Sequence, residues 1–164
     1  MASVIHLDTH SVIWLHDGEF YRFPVSILPL IHTGPLEVSP MVHLELHYLH
    51  EIGRLSPTPD EILRSLLQTL ALKISVSAFH SVVAEAASLA WARDPFDRLI
   101  CASARVAGAS LLTKDAIILA NEPNAFWDQP PVHPPAPHAW LRYEEKPPSL
   151  PRPPAHGKIL KSTP

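Results

Sequence analysis

Residues 93–115 read RDPFDRLICASARVAGASLLTKD, and the fold turns on how this stretch is parsed. Asp94 stands directly before Pro95, and proline is favoured at the first position of a helix. Asp94 is therefore an N-cap, with Asp97 as the third helical residue. The helix runs to about Ala107, and Gly108 ends it in the usual C-terminal way. The apolar run 109–113 is a short buried strand, with Asp115 just past its end. One acid thus sits at a helix N-terminus and another at the C-terminus of a strand. In open α/β sheets, sites lie outside those strand ends.

Working outward, the same alternation recurs. Residues 3–7 (SVIHL) form a first strand ending at Asp8, followed by a turn or cap (Thr9, His10) and a helix over 11–16. Residues 19–33 have helical apolar spacing, but Pro24 and Pro29 each disrupt a helix interior. A second strand follows at 36–38, then Ser39-Pro40 opens a helix over 41–53. Thr58-Pro59-Asp60-Glu61 is a capping box that starts a helix reaching about Leu70. A third strand is expected at 72–77, an alanine-rich helix at 79–92, and a weak last strand at 124–128. This order implies an α/β fold with a parallel sheet and helices on both faces.

The chain has 164 residues, a hydrophobic fraction of 46% and a net charge of -3. That suffices for one domain with a real core, and it carries no polycation signature for nucleic acid. A single cysteine makes no internal disulfide and points to a reducing, cytoplasmic setting. No apolar run reaches membrane-spanning length, and no secretory leader is evident. Of the 19 prolines, seven precede residue 120 and twelve follow it. The expected division is a folded domain over 1–128 and a flexible proline-rich tail over 129–164.

Five acids are candidates for chemistry: Asp8, Glu45, Asp94, Asp97 and Asp115. Singly, each has a structural reading; Asp8, Asp94 and Asp115 can simply cap helices. Glu45 is harder to dismiss. At about 100° per residue, its angular neighbours are Met41, Tyr48, Leu49 and Ile52, so it falls within the apolar arc. An acid there must be paired, protonated or bound to a metal. Asp97 shares a face with Ile100, Cys101 and Ala104. A cluster of carboxylates is stable at neutral pH mainly around a hard cation, and oxygen-only ligands favour Mg²⁺ or Mn²⁺. Metal-assisted attack of water on a phosphodiester is the natural chemistry.

Other signals read differently. His43, His47 and His50 form one stripe on the helix over 41–53, without the Glu after the first His that a metalloprotease needs. The stripe reads as a surface or subunit face rather than a zinc site. A haloacid-dehalogenase-like phosphatase would need an Asp where His10 stands. Cys101, between apolar residues, reads as a core thiol.

Taken in order, VIHLDTHSVIWL (4–15), the helix bearing Glu45, DPFDRLICASA (94–104) and LLTKD (111–115) resemble the PIN-domain ribonucleases. Among these, the chain is similar to the VapC-like toxins of type II toxin–antitoxin pairs. The resemblance covers 1–128. It implies a PIN-like α/β/α sandwich with a central, mostly parallel sheet. It matches Asp8, Glu45, Asp97 and Asp115 to the family's four acids, which would hold one or two Mg²⁺ or Mn²⁺ ions and activate water to cut RNA. Asp94 is not among the four matched acids; its preferred reading is the helix cap, with a supporting role beside the site. Thr9 and Thr113 match hydroxyls expected to hydrogen-bond Asp8 and Asp115. The implied partners are RNA, a cognate antitoxin that covers the site with a basic segment, and a second copy of the chain in a homodimer. Arg22, Arg54, Arg93, Arg98, Arg105 and Lys114 are candidates for a local basic patch. The two prolines in 19–33, the faint last strand and the tail depart from the family pattern. The competing function is a catalytically silent PIN-like interaction module that docks through proline clusters such as Pro130-Pro131 and Pro151-Arg152-Pro153-Pro154.

Overall fold

In the computed structural model, which describes residues 3–131, five strands line up in the order β3-β2-β1-β4-β5, and every pair is parallel. The strands are β1 (Ile5–Leu7), β2 (Leu36–Val38), β3 (Lys73–Ile74), β4 (Ser110–Leu112) and β5 (Ala125–Phe126). Between them run α1 (Thr9–His16), α2 (Leu28–Thr33), α3 (Pro40–Glu51), α4 (Pro59–Leu70), α5 (Phe79–Ser88), α6 (Pro95–Ala107) and α7 (Ala116–Asn121). The α/β class and the parallel sheet are as the sequence leads one to expect. All three residues of β1 and of β4 are buried. Strands buried on both faces need helices on both faces of the sheet.

Strand order carries the consequence for function. From β1 the chain steps outward to β2 and β3, then returns to lay β4 on the other side of β1 and adds β5. The β1/β4 junction is therefore the topological switch point, where a crevice opens beyond the strand C-termini. Leu7 pairs with Leu112, so Asp8 and Thr113 leave the sheet side by side.

Three expectations need correction. The strand over 72–77 shrinks to Lys73–Ile74, both exposed at the sheet edge, with Val76 almost wholly in solvent. Hydrophobicity there reflects an uncovered edge rather than a buried strand. The helix over 79–92 stops at Ser88, where Leu89 leaves helical geometry. In 19–33, Pro29 lands in the first turn of α2, where a missing N–H costs nothing, and Phe20–Arg22 is a single 3₁₀ turn. The weak strand expected at 124–128 is present as β5.

Burial concentrates around β1, β4 and the inward faces of α3, α4 and α6, including Leu7, Val12, Val42, Leu46, Ile62, Leu111 and Leu112. A buried ion group ties the far side together. Arg105, in the last turn of α6, donates from Nε to both carboxylate oxygens of Glu122 (2.9 and 3.0 Å) and from Nη1 to Glu85 of α5 (2.9 Å). Both carboxylates are fully buried. Among the described residues no helix is long and apolar enough to cross a membrane. Most of the proline-rich tail, including Pro151-Arg152-Pro153-Pro154, lies outside the described residues.

Candidate active site

Three of the five acids are placed by helix capping. Asp8 precedes α1 and accepts from Ser11 N at 2.7 Å. Asp94 precedes α6 and accepts from Phe96 N at 2.7 Å. Asp115 precedes α7 and accepts from Ile117 N (2.8 Å) and Ile118 N (2.9 Å). Each cap satisfies backbone donors that a helix leaves open, and each sits where the helix dipole favours negative charge.

Thr113 joins two of these acids. Its hydroxyl donates to Asp8 Oδ2 at 2.6 Å and accepts from the Asp115 backbone N–H at 3.0 Å. It is fully buried, and Asp8 is 7% exposed. Thr9 departs from its expected role. Its hydroxyl donates to Glu45 of α3 and not to Asp8. Thr9 is the first residue of α1, with its side chain turned across to α3, while the adjacent Asp8 turns back to the sheet.

Glu45 and Asp97 approach from the helices. Glu45 is not in the core, as its apolar neighbours in angle suggest; Val42 and Leu46 are the buried residues of α3, and Tyr48 and Ile52 are about half exposed. Glu45 lies half-buried on the flank of the cleft. Asp97 does sit above the buried face of Ile100, Cys101 and Ala104. Burial and the neighbouring charges of Asp94, Asp115, Glu45 and Asp8 push the Asp97 carboxyl up to about 6. Burial also raises Glu45, partly offset by the Thr9 hydrogen bond and by His10, and reinforced by Asp94 and Asp8. The five acids thus share one electrostatic environment.

Between the strand ends a cleft of about 290 Å³ is lined by Asp8, His10, Trp14, Lys114 and Asp115. Trp14 packs edge-on to Trp127 (6.2 Å), and Lys114 lies over the Trp127 ring (5.9 Å). Lys114, a candidate for the basic patch, does line the cleft, whereas His10 and Trp14 are cleft residues that the sequence did not single out for this site. The signal for His10 was proximity to Asp8, two positions away.

Among the described residues, no lysine or arginine forms an ion pair with Asp8, Glu45, Asp97 or Asp115. The expected basic patch is smaller than the sequence suggests. Arg105 belongs to the buried ion group, Arg98 donates from Nε to the Ala92 carbonyl (2.8 Å), and Arg22 pairs with Glu19. Arg54, Arg93 and Lys114 remain exposed.

The four acids suit a hard cation by donor type, being carboxylate oxygens only. They do not close to mutual ligand distance. Among the described residues, the one trio of His, Cys, Asp or Glu side chains whose donor atoms all lie within 4.8 Å of one another is His43, His47 and Asp60. That trio stands on another face of α3. His50 does not join it; its Nδ1 contacts the Leu55 carbonyl at 3.0 Å.

A family model described as the PIN domain matches residues 5–121. The chain belongs to the PIN domain family. PIN domains are generally nucleases. No curated protein matches in sequence. Solved structures share the PIN fold with it. VapBC2 from Rickettsia felis, bound to a promoter DNA fragment, aligns at a TM-score of 0.53 and 19% identity, over 76% of this chain and 99% of that one. A toxin–antitoxin complex from Klebsiella pneumoniae gives 0.52 and 14%, over 77% and 99%. DNA-bound VapBC from Salmonella typhimurium gives 0.51 and 20%, over 76% and 96%.

Proposed function

We propose that the protein is a Mg²⁺- or Mn²⁺-dependent ribonuclease and the toxin of a toxin–antitoxin pair. The observation that carries this reading is the convergence of Asp8, Glu45, Asp97 and Asp115, reinforced by Asp94, at the β1/β4 switch point. Burial first, and then the charges of the neighbouring acids, raise Asp97 to about 6, and among the described residues no lysine or arginine pairs with the four.

Asp8, Glu45, Asp97 and Asp115 would hold the metal. Bound there, Mg²⁺ or Mn²⁺ supplies a Lewis acid for the phosphoryl oxygen and lowers the pKa of coordinated water. The protein's own part is orientation. Thr113 and the Ser11 amide fix both oxygens of Asp8, the α7 amides fix Asp115, and Thr9 aims Glu45. Lys114 and His10 on the rim attract the phosphate backbone, and Trp14 gives a nearby base an apolar wall.

Toxin–antitoxin complexes among the structural relatives support an antitoxin partner, and an acidic cleft complements a basic inhibitory segment. A homodimer is the expected assembly. The deciding experiment is cleavage of RNA by the purified full chain, freed of antitoxin, with Mn²⁺ and with chelator. Wild type should cut only with metal, and Asp8→Asn should be inert while keeping its circular dichroism. Equal inertness of both proteins would favour a silent binding module instead.

A further inference from the structure

We propose that His43, His47 and Asp60 form a binding site for one divalent transition metal of the zinc class, separate from the acidic cleft. His43 and His47 are one turn apart on α3, so their rings project from the same side. Asp60 enters from the first turn of α4. His43 Nε2 lies 3.2 Å from His47 Nε2 and 3.5 Å from Asp60 Oδ1, and the three donor atoms are all within 4.8 Å of each other.

The two separations from His43, 3.2 and 3.5 Å, match the edges of a coordination sphere, and a small rotation of the exposed Asp60 side chain can close the third. Zinc bonds nitrogen and carboxylate oxygen at about 2.0–2.1 Å, so the edge of a tetrahedral site is about 3.3–3.4 Å. The trio is also frustrated as a set of hydrogen bonds. His43 Nε2 faces two neighbours, but an imidazole nitrogen carries either a proton or a lone pair. If it donates, its single proton must be split between Asp60 and His47, which weakens both bonds. If it accepts from His47, it meets Asp60 acceptor to acceptor. A cation among the three atoms satisfies all of them.

The donor set selects the metal. Two imidazoles and one carboxylate suit Zn²⁺, Co²⁺, Ni²⁺ or Cu²⁺ and not Mg²⁺. Three protein ligands leave a fourth position for water. All three side chains reach solvent, so the ion can enter directly. The site would clamp α3 to α4, and α3 carries Glu45. It stands on different residues from the RNA-cleaving reading, and either can hold without the other.

The test uses the full untagged chain, stripped with chelator and titrated with Zn²⁺ by calorimetry in excess Mg²⁺ to occupy the carboxylates of the cleft. One Zn²⁺ should bind and raise the Tm. Co²⁺ should give the intense visible bands of four-coordinate geometry. His43→Ala, His47→Ala, His47→Gln and Asp60→Asn should each weaken binding by more than the ~10–100-fold that loss of an outer-shell partner costs. His50→Ala and Asp97→Asn should bind as wild type does. RNA cleavage with Mn²⁺ is read in parallel, and its outcome leaves this result unaffected. Absence of one-to-one Zn²⁺ binding overturns the proposal, as does binding that survives in the His43→Ala/His47→Ala double variant. Circular dichroism of each variant separates lost binding from lost folding.

Discussion

Asp97→Asn should make the metal-free protein more stable while removing its activity. The wild-type carboxyl is raised from its ordinary 3.8 to about 6, first by burial and then by Asp94, Asp115, Glu45 and Asp8. Each unit corresponds to about 1.4 kcal/mol, so the charged form is disfavoured by about 3 kcal/mol before screening. Asp97 is partly exposed, and solvent screening reduces the usable part to about 1 kcal/mol. Asparagine keeps the shape and removes the charge. In chelator at neutral pH, the variant should melt about 3–5 °C higher. The pH dependence gives the sharper test. Between pH 4 and 6 the native state holds a proton that the unfolded state has lost, so this group's contribution to stability rises as pH falls. The variant's advantage should be complete above pH 6, shrink below it and vanish near 4. With Mn²⁺ present the order should reverse, because wild type gains ligand stabilisation that the variant forgoes. RNA cleavage should fall about a hundredfold or more, since a metal contributes several kcal/mol at the transition state. A variant less stable than wild type in chelator at neutral pH would refute the crowded-carboxylate account. So would an advantage that does not change with pH.

Thr113→Val removes a buried donor to Asp8 and the acceptor for the Asp115 amide, so we expect a loss of about 1–3 kcal/mol in urea denaturation together with slower cleavage. Unchanged cleavage would show that Asp8 needs no such restraint. His6 is fully buried in β1, and although Glu37 Oε2 at 3.5 Å pulls its pKa upward, burial wins and lowers it to about 4. Between pH 6.5 and 4 the unfolded state therefore binds a proton that the native state refuses, and stability should fall with acidification by about 3 kcal/mol at most. His6→Leu should flatten that limb of the pH–stability curve, and a slope that persists would place the effect elsewhere. Arg105→Ala strips the cation from two buried carboxylates and should cost about 3–5 kcal/mol by urea denaturation. Arg105→Met with Glu85→Gln and Glu122→Gln should recover most of that loss, and a single variant within 1 kcal/mol of wild type would remove the ion group from the account of stability.

The elements nearest the site were the most legible, because local chemistry specifies them. Asp94-Pro95 and Gly108 bracket α6 at the residues where the helix begins and ends. Thr58 and Glu61 make the reciprocal cap that their spacing announces. Readings failed where tertiary context decides. Apolar residues at 72–77 could not show that their strand would lie at a sheet edge. The helical wheel put Glu45 among apolar neighbours without revealing that Tyr48 and Ile52 are exposed while Val42 and Leu46 fill the core. Arg105 looked like one more surface cation, because its partners Glu85 and Glu122 lie far away in sequence and come together only through the packing of α5, α6 and the end of α7. The hydroxyl of Thr9 had two acids within reach of its position, and only the placement of α3 selects Glu45.

The structural and functional readings of these acids turn out not to compete. Asp8, Asp94 and Asp115 are N-caps, and that is how the fold can gather so much negative charge. In a parallel sheet every strand leads to a helix whose N-terminus points toward the strand C-termini, so the switch point collects open amides and positive dipole ends. Capping fixes a carboxylate oxygen against those amides at about 2.7–2.9 Å, with a charge-assisted hydrogen bond that offsets part of the repulsion. Glu45 and Asp97 have no cap role, and both show the rise in pKa that burial and repulsion impose. The cluster therefore divides into acids fixed by helix ends and acids held by packing. This division predicts where substitution hurts most. Replacing a cap with alanine should cost about 1 kcal/mol of stability as well as activity, whereas neutralising Asp97 should cost activity alone. Measuring stability and cleavage together for Asp115→Ala and Asp97→Asn tests the division directly, and equal stability losses in the two would contradict it.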